Sequence, residues 1–201
     1  MPEASSGFQV FSGFFPLACL TLEMAYVTIG SMTDKNIVLT GFMGSGKTAV
    51  SRNLAGRTGL KRVSTDDLIV EAEGRSIVAI FRDSGEGYFR KIEKQVVAEV
   101  CCLAGVIVDC GGGVILDEDN RRALKSSGTV FFLDASEQEI YQRIKAQTHR
   151  PLLNTPDPLA GIHDLLKQRR PLYACADITL LTDGKSVAAV TEEILKVVHM
   201  N

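Results

Sequence analysis

The chain has no charge excess, no C-x-x-C pair, no long apolar run and no basic leader, and each absence argues against a class of function. A net charge of −2 gives no general pull toward nucleic acid or an anionic membrane, so any anion must be held by locally placed cations. The five cysteines, Cys19, Cys101, Cys102, Cys110 and Cys175, are odd in number and lack zinc-site spacing. That argues against a disulfide framework and a zinc centre and favours a reducing cytoplasm. The apolar stretch from Phe8 to Leu20 is broken by Ser12, Gly13 and Pro16, too short and interrupted to span a membrane. Residues 1–31 contain no Lys or Arg, unlike a secretory signal or a transit peptide. Met32 directly precedes Thr33-Asp34-Lys35 and reads as the start of the folded domain, 32–201; residues 1–31 read as a disordered extension or a misassigned start. Repeats and low-complexity tracts are also missing, so one domain is the simplest organisation.

What is present centres on Gly41-Phe42-Met43-Gly44-Ser45-Gly46-Lys47-Thr48, which fits the phosphate-loop pattern G-x-x-x-x-G-K-[ST] at every fixed position. The short apolar run Asn36–Thr40 before it reads as a buried parallel strand, and Thr48 to Ala55 as the start of a helix. Glycines let backbone N–H groups converge on an anion at a helix N-terminus. Lys47 then reaches the outer phosphates, and the Thr48 hydroxyl holds Mg²⁺. The nucleotide-binding set of the loop is Gly44, Ser45, Gly46, Lys47, Thr48 and Ala49.

Strand-like and helix-like patterns then alternate. Further strands are expected at 61–65, 106–109, 129–134 and 178–181. Helices are expected from 65 to Gly74, over 76–81 and 86–103, and over 118–125, 136–146, 159–170 and 186–198, with a loop at 147–157. Ser136 with Glu139 has capping-box spacing. Such alternation predicts an α/β fold, a five-stranded parallel sheet with helices on both faces.

Three further clusters carry chemistry. Ser64-Thr65-Asp66-Asp67 follows the second strand, where open α/β sheets bind ligands; a carboxylate there can orient or deprotonate a hydroxyl. Equally, Asp66 or Asp67 could simply cap a helix. Arg90 and Glu93 share a helix face; on a surface the pair is worth little, but in a cleft the Glu fixes an Arg fork that grips a carboxylate. Gly111-Gly112-Gly113 allows close backbone approach to a ligand, or is a plain turn.

Taken in order, these motifs resemble the shikimate kinase family, small P-loop enzymes of the nucleoside-monophosphate-kinase type. The resemblance covers about residues 33–198. It rests on G-F-M-G-S-G-K-T at 41–48, T-D-D at 65–67, G-R-S-I at 74–77 with Ile80-Phe81, and G-E-x-x-F-R-x-x-E at 85–93. G-G-G at 111–113, R-P-L-L at 150–153, and R-R-P-L-Y at 169–173 with Ala176-Asp177 complete it. The resemblance implies a three-layer P-loop kinase with a mobile lid at about 147–157, phosphorylating the 3-hydroxyl of shikimate with ATP and one Mg²⁺ per chain. It makes Asp66 the base and the holder of ring hydroxyls, Arg90 and Arg169 the carboxylate clamp, and Gly112 a backbone contact to the ring. Phe81 and Phe89 would line the substrate pocket, Arg143 would pack on adenine, and the lid residue Arg150 would close over the phosphates. A monomer acting on shikimate and ATP, without nucleic-acid or membrane partners, is the expectation.

Departures from the family pattern fall at a few places. Where the family has D-x-D after the second strand, its first Asp near the metal, this chain has Ser64. Asp109 stands where a small or hydroxyl residue is common, at the end of Val106-Ile107-Val108-Asp109, a strand of Walker B form. Asp109 is therefore the expected metal carboxylate beside Thr48, or else a cap on the glycine turn. Ser51 stands where a glycine is common, and Tyr173–Asp177 is one residue shorter than in many relatives. A gluconate-type kinase on the same scaffold, or a nucleotide-binding module that has lost catalysis, are the competing readings.

Overall fold

The computed structural model describes residues 35–145 and 157–200, all within the unit Ser31–Asn201. The expectations for residues 1–31 and for the lid up to residue 156, Arg150 included, lie outside the described residues.

Five parallel strands form one sheet: β1 (Asn36–Thr40), β2 (Lys61–Ser64), β3 (Val106–Asp109), β4 (Gly128–Asp134) and β5 (Ile178–Leu181), in the order β2-β3-β1-β4-β5. The helices are α1 (Lys47–Thr58), α2 (Thr65–Glu73), α3 (Ile77–Cys101), α4 (Glu118–Ser127), α5 (Glu137–Ile144), α6 (Pro158–Tyr173) and α7 (Val187–Met200). Side chains alternate across a strand, and the alternation divides the core in two. Ile37, Leu39, Ile107, Phe131 and Leu133 pack with Val50 and Leu54 of α1 and Val190 and Ile194 of α7. Val38, Val108, Val130 and Phe132 face the other way, toward Ile69 of α2, Val96, Val97 and Val100 of α3, and Leu124 of α4. A sheet covered on both faces explains the near-continuous apolar strands of the sequence.

The two helices expected at 76–81 and 86–103 form α3, which is broken where Gly85 takes φ 79° and ψ 170°. Its N-terminus is capped by Ser76, whose hydroxyl accepts from the Ala79 amide. Half of the expected capping box forms: Ser136 accepts from the Glu139 amide, while the Glu139 carboxylate turns to Arg143 instead. The strand expected to run to Thr65 ends at Ser64 because Ser64 caps α2, accepting from the Asp67 amide at 3.2 Å. Neither Asp66 nor Asp67 is the cap; both lie in the first turn of α2, where the helix dipole favours acidic groups.

One polar clamp orders the bottom of the sheet. Buried Asn36 donates to the Leu103 carbonyl at 2.8 Å and accepts from the Val106 amide at 3.1 Å, pinning the entry to β3 against β1. All ligand-facing features below lie at the opposite, carboxyl end of the strands, where a doubly covered parallel sheet opens a crevice.

Candidate active site

The loop between β1 and α1 has Gly44 at φ 78° and Gly46 at φ 97°, left-handed positions that a side chain would strain. Gly46 is also the N-cap residue of α1, so the loop delivers its amides to the positive end of that helix. Lys47 is buried, and its Nζ donates to the carbonyls of Gly41 at 2.8 Å and Phe42 at 3.0 Å. These bonds hold the ammonium inside the curve of the loop. A chamber of about 320 Å³ opens here, lined on one side by Met43, Gly44, Gly46, Lys47, Thr48 and Ala49. Ser64, Asp66, Asp109, Cys110 and Gly112 line the other side, and Arg143 closes one end. Ser45 is buried and does not line the chamber.

The glycine run after β3 is where several elements meet, and each glycine meets a different side chain. The Gly111 amide donates to the Thr65 hydroxyl at 2.9 Å, and a methyl group on Gly111 would collide with the Asp66 carboxylate. The Gly112 carbonyl accepts from the Tyr173 hydroxyl at 3.2 Å and from Arg169 Nη1 at 3.5 Å. A methyl on Gly113 would sit 2.5 Å from Arg90 Nη1. Asp66 of α2, Arg90 of α3 and Arg169 of α6 therefore converge on residues 111–113, beside the phosphate loop. A side chain at Gly111 or Gly113 would displace Asp66 or Arg90 from this approach, whereas one at Gly112 would meet only ordinary contacts.

Arg90 is held as a fork. Nη1 donates to Glu93 at 2.6 Å, while Nε and Nη2 donate to Glu86 at 3.1 and 2.9 Å. The Glu93 side chain is only 1% exposed, so the pair is an internal fixture and not a surface decoration. Burial pushes the Glu93 carboxyl above its usual range although Arg90 pulls it down; desolvation of the acid outweighs the pairing. Phe89 lies in the core, 5.2 Å from the Arg90 guanidinium, and the exposed Phe81 packs on it at 4.6 Å between ring centroids. Neither ring lines the chamber at the phosphate loop. On the far side Tyr173 stacks on Phe132, with centroids 4.3 Å apart. Burial pushes the Tyr173 phenol well up, so it remains a donor to Gly112 at any ordinary pH.

Arg143 is tied down at its edges. Nε donates to Glu139 at 2.9 Å, Nη1 to the Gly44 carbonyl at 3.3 Å and the Thr182 hydroxyl at 3.0 Å, and Nη2 to the Thr182 carbonyl at 3.0 Å. It thus links the phosphate loop to the turn after β5.

Asp109 lies across from Ser64 in the β2–β3 register, so a carboxylate absent from position 64 stands one strand away. It is buried, and three donors converge on its Oδ2: Arg62 Nη2 at 2.6 Å, Arg62 Nε at 3.2 Å and the Ser51 hydroxyl at 3.0 Å. Arg62 carries no motif signal and was not legible as a site residue; its position in β2, pointing at the next strand, was the one available sign. Burial lowers the Arg62 pKa, but the Asp109 and Asp67 bonds and charges more than offset it and raise it.

A family model described as shikimate kinase matches residues 43–199. The chain belongs to the shikimate kinase family. Relatives named shikimate kinase include one from Thermodesulfovibrio yellowstonii, 41% identical over 81% of this chain and 94% of its own length. Another, from Symbiobacterium thermophilum, is 43% identical over 80% and 94%. Among solved structures, the shikimate kinase of Acinetobacter baumannii in complex with shikimate superposes with a TM-score of 0.80 at 35% identity, covering 85% of this chain and 96% of that one. A gluconokinase from Sinorhizobium meliloti superposes at 0.56 with 18% identity over 83% of this chain and 93% of that one, which is a likeness of fold alone.

Of the expected site residues, Gly44, Gly46, Lys47, Thr48, Ala49, Asp66, Gly112 and Arg143, together with Asp109, which departs from the family pattern, share one chamber. Arg90 and Arg169 flank it at the glycine run. Tyr173, Thr65 and Thr182 anchor that arrangement by hydrogen bonds that no spacing rule reveals. For Mg²⁺ the donor set fits: a hydroxyl and a carboxylate are hard oxygen ligands, and the Asp109 contacts crowd onto Oδ2, leaving Oδ1 outside them. Among the described residues no group of three or more His, Cys, Asp or Glu could hold a metal by itself, so a metal held by Thr48 and Asp109 would need further ligands from phosphate and water.

Proposed function

We propose that the chain transfers the γ-phosphoryl group of ATP to the 3-hydroxyl of shikimate, forming shikimate 3-phosphate on the route to chorismate and the aromatic amino acids. The observation that carries this reading is the meeting of Asp66, Arg90 and Arg169 at Gly111–Gly113, next to the phosphate loop. A loop of this kind says nucleotide; two guanidinium groups and a carboxylate beside it describe a small hydroxy acid. Arg90, pre-set by Glu86 and Glu93, and Arg169 grip the substrate carboxylate with planar forks. Asp66 accepts the proton of the attacking hydroxyl as its oxygen bonds to the γ-phosphorus and ADP leaves. Lys47 and the loop amides stabilise the charge on the phosphoryl oxygens. Thr48 and Asp109 are the side chains for one Mg²⁺, which when bound supplies further positive charge to the phosphates. Arg143, fixed at its edges, offers its planar face to adenine. Arg150 in the lid closes over the phosphates and, with the lid, keeps water out.

The same reading makes the enzyme a cytoplasmic monomer. Among the described residues no helix is long and apolar enough to cross a membrane.

The test is a steady-state coupled assay with ATP and Mg²⁺, comparing shikimate with gluconate. Turnover is expected with shikimate. Asp66→Asn should lower kcat by roughly 10²–10⁴-fold, and Arg90→Ala should raise KM for shikimate while leaving KM for ATP nearly unchanged. Near-wild-type turnover in Asp66→Asn would overturn the base assignment, and a preference for gluconate would overturn the substrate.

A further inference from the structure

Arg62 is a cation placed behind the metal side of the chamber. Its side chain is 18% exposed and that of Asp109 is 4% exposed, so the pair is largely shielded from water and interacts strongly. Its Nε also donates to the Ser51 hydroxyl at 2.9 Å, and that hydroxyl stands 3.0 Å from Asp109 Oδ2 and 3.1 Å from the Thr48 carbonyl. Nη1 reaches out to Asp67 at 3.2 Å. One guanidinium therefore ties Asp109 to the first turn of α1, the turn that carries Thr48, and neutralises the carboxylate that faces the chamber.

We infer that Arg62 is a positioning residue that holds Asp109 and occupies its charge, so that a divalent cation enters this site only together with nucleotide phosphates. The inference rests on the reading of Thr48 and Asp109 as the metal's side chains. With Arg62 in place, Asp109 presents a paired carboxylate, Lys47 adds a second positive charge on the chamber wall, and a bare cation gains little. Phosphate oxygens supply the missing negative charge and ligands, and Asp109 and Thr48 both line the chamber they would enter. Without Arg62 the buried carboxylate of Asp109 is stranded, and a stranded buried charge recruits a counter-ion.

The experiment is a titration of Mn²⁺ alone, without nucleotide, read by the loss of the free-ion electron paramagnetic resonance signal. The wild-type chain is expected to bind Mn²⁺ weakly. Arg62→Gln, which removes the charge but keeps a donor for Oδ2, should bind it roughly tenfold more tightly or better. Arg62→Gln combined with Asp109→Asn should return to weak binding, and Arg62→Lys should resemble wild type. Equal Mn²⁺ uptake by Arg62→Gln and wild type overturns the inference, as does tight uptake that survives Asp109→Asn. If Arg62→Gln does not fold, tight nucleotide-free uptake by the wild-type chain or by Arg62→Lys overturns it as well, and weak uptake by both upholds it. The titration uses no shikimate, so a failure here is distinct from a failure of the kinase reading, which turnover tests separately.

Discussion

Single side chains in this protein act mainly by fixing others. Tyr173 does not itself line the chamber, yet its hydroxyl bonds the carbonyl of Gly112, which does. Tyr173→Phe keeps the stack on Phe132 and removes that one donor. The expected loss is about 1 kcal/mol of stability, a fall in Tm of about 2–4 °C for a domain of this size, measured by thermal denaturation. KM for shikimate should rise roughly fivefold, the equivalent of the same energy. An unchanged Tm together with an unchanged KM would show that the bond is made equally well by water. Glu93 works in the same manner on Arg90. Ser64 was legible as a departure from its family's acidic pattern; its use as the cap of α2 was not, because a serine at a strand end looks the same whether or not an amide three residues on has turned back to it.

At the scale of elements, the close approach of β4 to β1 carries a sharp steric requirement. Gly128 pairs with Asn36, and a methyl group there would drive into the Asn36 backbone. Its φ of −178° is ordinary extended backbone, so the demand is for space and not for conformation. Gly128→Ala should cost about 2–3 kcal/mol through overpacking, seen as a lower denaturant midpoint with the slope unchanged. A midpoint within error of wild type would mean that the strand ends separate freely. The elements themselves were mostly legible. Strand alternation and helix-period patterns are local, and the expected and observed spans agree within a few residues. The 3₁₀ turn Val114–Leu116 had no such signal, because three residues are too few for a period. The break at Gly85 was legible as the gap between two helical patterns.

For the whole molecule, two opposite core faces and one open crevice set which groups solvent can reach. Cys110 is buried at the end of β3, and burial pushes its thiol well up; Cys102 at the end of α3 is exposed. Thiolates are the reactive form. In the native protein a maleimide should label Cys102 within minutes and leave Cys110 intact, and Cys110 should react only under conditions that unfold the sheet. Peptide mass mapping at increasing urea would read both. Labelling of native Cys110 at the Cys102 rate would mean that the chamber opens far wider than its described shape.

The sequence by itself determined the phosphate loop, the alternation that makes a doubly covered parallel sheet and the family, and it singled out Lys47, Asp66, Arg90, Arg143 and Arg169 as candidates. These rest on local spacing, on periods of two and 3.6 residues, and on ordered motifs. The tertiary structure alone decided which of them meet. Arg62 and Asp109 are 47 residues apart, and Arg169 and Gly112 are 57 apart; no local period spans such distances. They become neighbours because β2 and β3 pair in register and α6 packs back over the glycine run. That pairing turned Asp109 from a lone acidic residue at a strand end into one half of a buried ion pair on the wall of the chamber.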